Sequence, residues 1–139
     1  MSRQPENTFI ASVHKYLPPI SRLYRMKNHN EYNGGIADCW YSGVSDMWVE
    51  YKFLKLPVRD RTVIDLVGGN DPTISTLQQE WLKGRHDEGR KVGVIVGCKD
   101  GGVWFPGTSW ETPLTAGEFR SRLIARKDVA TQIFDLVSK

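Results

Sequence analysis

The sequence predicts an α/β protein, with a mixed β-sheet held between helices. Three observations predict it. Residues 91–98 (KVGVIVGC) form a near-continuous apolar run, as expected of a strand buried on both faces. Residues 35–41 and 47–54 read as two strands joined by the turn-forming Ser42-Gly43-Val44-Ser45-Asp46, hence a β-hairpin. Helical periodicity and capping signals flank these strands on both sides.

In chain order, residues 7–17 predict a first helix. Asn7 can cap it, Phe9, Ile10, Val13 and Leu17 recur at helical spacing, and Pro18-Pro19 ends it. Residues 22–27 suit a short strand carrying Leu23 and Tyr24, and residues 28–34 are polar and turn-rich, so they read as a loop. After the hairpin, residues 56–71, with Pro57, Gly68 and Gly69 around a short apolar run, Val63-Ile64-Asp65-Leu66-Val67, predict a long loop with one short ordered piece. Ser75-Thr76-Leu77-Gln78 matches a capping box, starting a second helix that runs to about His86 and ends before Gly89. Gly101-Gly102 is expected to turn the chain into a short strand, Val103-Trp104-Phe105. Thr115 and Glu118 form another capping box, with Asp128 recapping the helix after a break near Lys127. Phe119, Leu123, Ile133, Phe134 and Val137 are expected to face the core. There are no repeats and no linker, so the 139 residues are expected to form one domain, with a core over about 5–105 and a helical extension over about 115–138.

Composition excludes several classes. Hydrophobic residues make up 40% and charged residues 25%, which is ordinary for a folded globular chain. No apolar run is long enough to span a bilayer and the N-terminus lacks a secretory signal, so an intracellular, membrane-independent protein is expected. Cys39 and Cys98 are expected to be buried free thiols, and no Cys or His pair has zinc-ligand spacing. A net charge of +3 and a pI of about 8.9 suit a polyanionic partner without requiring one. The cations fall in four clusters: Arg22, Arg25 and Lys27; Lys55, Arg59 and Arg61; Lys83, Arg85, Arg90 and Lys91; and Arg120, Arg122, Arg126 and Lys127. Each can equally be a solvated face.

Chemistry concentrates on the hairpin. Side chains alternate along a strand, so Glu50 and Lys52 share a face. A turn centred on Val44 sets Asp38 opposite Glu50 and Trp40 opposite Trp48, with facing Cβ atoms about 5 Å apart. Two neighbouring carboxylates in apolar strands are costly to ionise unless paired or ligating. A hard divalent cation such as Mg²⁺ relieves that cost. Such an ion can polarise a phosphate and activate a water, and Lys52 can orient that water, steady the phosphate or, neutral, serve as a base. A plain salt bridge from Lys52 to Glu50 or Asp38 is the alternative.

The segment GGIADCW…WVEYKF resembles the PD-(D/E)XK nuclease superfamily, with Asp38 in place of its aspartate and Glu50-Tyr51-Lys52 as its (D/E)XK. Residues 74–82, followed by Gly89 and Lys91-Val92-Gly93-Val94-Ile95, look like the virus-type replication-repair (VRR-NUC) branch, with the archaeal Holliday-junction resolvases as a second near neighbour. The resemblance covers about residues 5–105. It implies a restriction-endonuclease-like αβββαββ core and a Mg²⁺-dependent endonuclease acting on DNA in replication, recombination or repair, with Mn²⁺ able to substitute. It implies Asp38, Glu50 and the Tyr51 backbone carbonyl as metal ligands, Lys52 as catalytic lysine, Glu6 as an additional metal-organising carboxylate and Gln78 as a helix glutamine near the site. The family proline before the aspartate is Ala37 here. Glu6 can instead simply favour the helix N-terminus, and Gln78 is already accounted for by its capping box. Arg59 and Arg61, with Lys55, are the expected phosphate contacts. His14 is expected to be packed or at the surface, His29 and His86 to lie in loops or at the surface, and Trp40 and Trp48 to form a cross-strand pair. Relatives that cut both strands act as dimers, so a homodimer is compatible, as is a virus- or phage-encoded origin. A non-catalytic DNA-binding module, or a protein-interaction or inhibitor domain, are the competing classes.

Overall fold

The computed structural model describes residues 4–28 and 34–139. Helix α1 (Gln4–His14) is followed by strands β1 (Tyr24–Lys27), β2 (Cys39–Ser42), β3 (Asp46–Phe53) and β4 (Val63–Ile64). Helix α2 (Thr76–Asp87), strands β5 (Lys91–Cys98), β6 (Gly101–Pro106) and β7 (Leu114–Thr115), and helices α3 (Ala116–Arg122) and α4 (Arg126–Val137) complete the chain, with a 3-10 turn at Ser109–Glu111 before β7. The main sheet has the order β1-β2-β3-β5-β6. Strand β3 runs parallel to β5 and every other neighbouring pair is antiparallel, so the sheet is mixed, as expected.

The sheet is buried on both faces because each face meets helices. On one side Phe9 and Val13 of α1 and Ile133 and Val137 of α4 pack on Tyr41, Val49 and Tyr51. On the other, Leu82 of α2 and Phe119 of α3 pack with Val94, Val96 and Phe105, together with Trp110 of the 3-10 turn. Strand β5 is buried from Val92 to Cys98, as its apolar run required. Each fully buried large aliphatic or aromatic side chain contributes about 1.5–3 kcal/mol. Both cysteines are buried and free. Among the described residues no helix is long and apolar enough to cross a membrane.

Several boundaries differ from expectation, each for a physical reason. Helix α1 starts three residues earlier than Asn7, because Pro5 is tolerated in a first turn, and it ends at His14 rather than Leu17. Asn7 is therefore no cap; its Oδ1 accepts from Lys27 Nζ at 2.7 Å. Strand β2 begins at Cys39, not at residue 35, because β1 reaches only as far as Cys39. The turn between β5 and β6 falls on Lys99-Asp100, and Gly101-Gly102 already pairs with Cys98 and Gly97. The last helix is entered through Ala125 rather than recapped by Asp128, whose N–H donates to the Ala125 carbonyl. The capping boxes at Ser75/Gln78 and Thr115/Glu118 both form. Part of the expected loop over 28–34, with His29, lies outside the described residues.

Candidate active site

Asp38 sits one residue before β2, and Glu50 and Lys52 lie on β3. The ladder pairs Cys39 with Val49 and Trp40 with Trp48. One further step in that register sets Asp38 opposite Glu50. The approach to Asp38 is set by Gly35, which has φ +91° and would place a Cβ only 2.6 Å from the Leu77 carbonyl oxygen. Glycine alone lets the chain run this close to the start of α2 in that conformation. On the other flank, Glu50 and Lys52 pair with Val94 and Val96 of β5.

The three groups converge. The Tyr51 N–H donates to Asp38 Oδ2 at 2.9 Å, and Lys52 Nζ lies 3.3 Å from Glu50 Oε2. Glu50 is 1% exposed, whereas Asp38 and Lys52 are only partly buried, so solvent reaches the cluster past them. The salt bridge foreseen as the plain alternative is thus present, yet it leaves Glu50 Oε1 buried with no hydrogen-bond partner. Burial pushes the Glu50 carboxyl well above the usual carboxylate range, and the Asp38 charge pushes it further. Lys52 opposes both, and the charge of Glu6 in the first turn of α1 adds to the upward push.

An orphaned carboxylate oxygen in the interior is a feature that demands a partner. The donor set is all hard oxygen: Asp38, Glu50 and, by its direction, the Tyr51 carbonyl, since in a strand a residue's N–H and C=O point to the same neighbour. Those donors fit a Mg²⁺-sized ion, which takes one or two protein carboxylates and completes its shell with water and phosphate oxygens. Among the described residues no three His, Cys, Asp or Glu side chains gather into a set that could hold a metal. The Glu6 charge acts on Glu50 through its field.

The remaining expected residues divide clearly. Gln78 Oε1 accepts from the Ser75 N–H at 2.9 Å, so its carbonyl is committed to the cap. Lys55, Arg59 and Arg61 are exposed, and among the described residues no hydrogen bond or ion pair engages their side chains. The third and fourth basic clusters are largely used within the fold: Lys83 pairs with Glu111, Arg85 and Arg90 with Glu88, and Arg120 with Asp60, while Arg122 and Arg126 lie over Phe105 and Phe9. Trp40 and Trp48 are register partners, and the Trp48 ring packs edge-on against Trp81 at 5.4 Å. His86 is exposed. His14 is packed, sharing a 2.7 Å hydrogen bond with the Tyr41 hydroxyl, which in turn bonds the Tyr51 hydroxyl at 2.6 Å. A surface cavity of about 660 Å³ lined by Ile20, Arg22, Tyr24, Trp40, Val44 and Phe134 opens at the turn end of the hairpin, away from Asp38 and Glu50. Sequence reasoning placed Arg120 in a basic cluster and missed that it anchors the loop after β3; its partners lie about sixty residues away and leave no local signal.

The architecture, a mixed five-stranded sheet between helices, matches a restriction-endonuclease-type fold. Among solved structures it is similar to that of Hjc, a Holliday junction resolvase from the archaeal hyperthermophile Archaeoglobus fulgidus, with a TM-score of 0.53, 13% identity, and 94% of this chain and 95% of that chain covered. At that identity the likeness shows the fold, and it does not single out the virus-type branch. No protein-family model and no curated protein matches the chain.

Proposed function

We propose that this chain is a Mg²⁺-dependent endonuclease that hydrolyses DNA phosphodiester bonds in recombination, replication or repair. The observation that carries the reading is the buried Glu50 oxygen without a partner, set across the hairpin from Asp38 and beside Lys52. Asp38, Glu50 and the Tyr51 carbonyl are the ligands, and Mn²⁺ is the expected substitute. When bound there, the divalent ion supplies Lewis acidity toward the phosphate and toward a water. The chain's own residues do the rest. Asp38 is held in place by the Tyr51 N–H, so its second oxygen is presented without a loss of side-chain freedom at the moment of reaction. Lys52, tied to Glu50, brings a compact positive charge to the place where negative charge grows on the phosphate. Glu6 tunes Glu50 electrostatically. Lys55, Arg59 and Arg61 hold flanking phosphates.

The test is cleavage of supercoiled plasmid, a four-way junction and a linear duplex with Mg²⁺ or Mn²⁺ and with EDTA. We expect metal-dependent nicking or cutting of at least one substrate, reduced about a hundredfold or more in Asp38→Ala, Glu50→Ala and Lys52→Ala. An Asp38→Ala protein of full activity contradicts the assignment.

A further inference from the structure

The segment from Pro57 to Thr62 is a surface loop whose backbone is tied down at several points. Its carbonyls are satisfied from one side by the start of α3: Ala116 N–H donates to Thr62 O at 2.8 Å and Gly117 N–H to Asp60 O at 2.9 Å. These are two of the N–H groups that a helix start leaves without partners inside the helix. Arg120 closes the clamp, its guanidinium donating to the Pro57 carbonyl, to the Val58 carbonyl and to the Asp60 carboxylate. The approach is close enough that a Cβ on Gly117 would lie 3.1 Å from the Asp60 Cβ. The β4–β7 pairing fixes the far end, Val63 on Thr115 and Ile64 on Leu114. The Thr62 N–H to Arg59 O bond closes the tip.

With the backbone turned inward, the side chains turn out. Val58 is 88% exposed, more than any other large hydrophobic residue described, and Arg59 and Arg61 stand beside it unpaired. The tied loop thus presents an apolar side chain next to two cations that have no partner among the described residues. The loop is also within a short chain length of the candidate centre. Val58 is six positions beyond Lys52, a reach of at most about 22 Å, or roughly six base-pair steps along a duplex strand. Leu54 and Leu56, between them, pack on the same sheet face as Glu50, Lys52 and Val94.

We propose that this clamped loop is a DNA wedge: Val58 inserts where base stacking is interrupted, Arg59 and Arg61 grip neighbouring phosphates, and Arg120 is the positioning residue that keeps the tip rigid. Inserting an apolar side chain between stacked bases is costly in intact duplex and cheap where the stack is already broken. The occupant is therefore branched, nicked or flapped DNA rather than uninterrupted duplex. The inference rests on the nuclease reading for its substrate, but its test does not need cleavage.

Binding is measured by fluorescence anisotropy in EDTA, on a four-way junction and on a linear duplex of the same sequence, with 2-aminopurine at the branch point reporting unstacking. Wild type is expected to prefer the junction and raise the 2-aminopurine signal. Val58→Ala is expected to lose about tenfold on the junction, with duplex affinity and the signal from free DNA unchanged. Val44→Ala, a change at another exposed valine, in the hairpin turn, leaves both affinities alone. Arg59→Gln with Arg61→Gln is expected to weaken both substrates and lower the slope of log affinity against log salt by about two. Arg120→Ala is expected to reproduce the Val58→Ala loss of 2-aminopurine signal while keeping the wild-type salt slope, which a general loss of folding would not do. A Val58→Ala protein with the junction preference and the unstacking signal of wild type overturns the wedge, even if the enzyme cuts DNA. A protein that binds junctions through Val58 yet never cuts supports the wedge and overturns the nuclease assignment. A chain that binds no DNA overturns both.

Discussion

Glu50 and His14 show opposite uses of burial. Glu50 is an acid placed where its charge is penalised by desolvation and by Asp38, with only Lys52 to offset it. His14 is a base whose charged form is penalised, first by burial and then by the charges of Arg25 and Lys27, which lowers its pKa from 6.5 to about 4. The neutral ring is what the Tyr41 hydroxyl holds. The sign of the resulting pH dependence follows. Between pH 6.5 and about 4 the unfolded chain takes up a proton that the folded chain refuses, so stability falls as pH falls through this window. In urea denaturation at pH 7 and pH 4.5, wild type is expected to lose about 2 kcal/mol more than His14→Gln, after discounting for the ring's partial exposure. Equal losses in the two proteins contradict this account of the His14–Tyr41–Tyr51 chain. From its helical position His14 was recognisable as a packed or surface residue. Its two tyrosine partners were not, since they come from β2 and β3 on the sheet beneath α1.

At the scale of elements, α2 separates two readings of one residue. Ser75 Oγ accepts from the Gln78 N–H and Gln78 Oε1 from the Ser75 N–H, so the cap is reciprocal. We expect Gln78→Ala and Ser75→Ala each to cost about 1 kcal/mol in thermal or chemical denaturation, and both to leave cleavage per folded molecule within about twofold of wild type. A Gln78→Ala protein that keeps its stability and loses cleavage would show that the amide belongs to the reaction centre instead. Elements governed by local rules were legible in the sequence. Both capping boxes, the limits of β5 and the register of the β2–β3 hairpin follow from neighbouring residues, and with the register came the meeting of Asp38, Glu50 and Lys52. Elements governed by distant partners were not. The two-residue β4 exists because β7 pairs with it, and the order within residues 56–71 depends on α3 and Arg120. Gly101-Gly102 carries a turn signal, yet it is in a strand because the bridge from Gly102 to Ile124 and its pairing with Gly97 hold it there.

Across the whole molecule, two apolar layers clamp a sheet whose middle strand carries a buried carboxylate. Phe9 lies on the backbone of β5 so closely that a Cβ on Gly97 would sit 2.7 Å from its ring, which ties α1, and with it Glu6, to the strand beside Glu50. Such a layout positions the acidic pair through packing, at the cost of an unpaired oxygen in the interior. It follows that ion binding should be measurable apart from cleavage, and should stabilise the fold by mass action. The most direct measurement is calorimetric titration of Mn²⁺ into wild type, Asp38→Ala and Glu50→Ala protein without DNA. The account predicts a saturable heat with wild type, accompanied by a higher melting temperature, and the loss of both in either variant. Binding of unchanged heat and affinity in Glu50→Ala would contradict it.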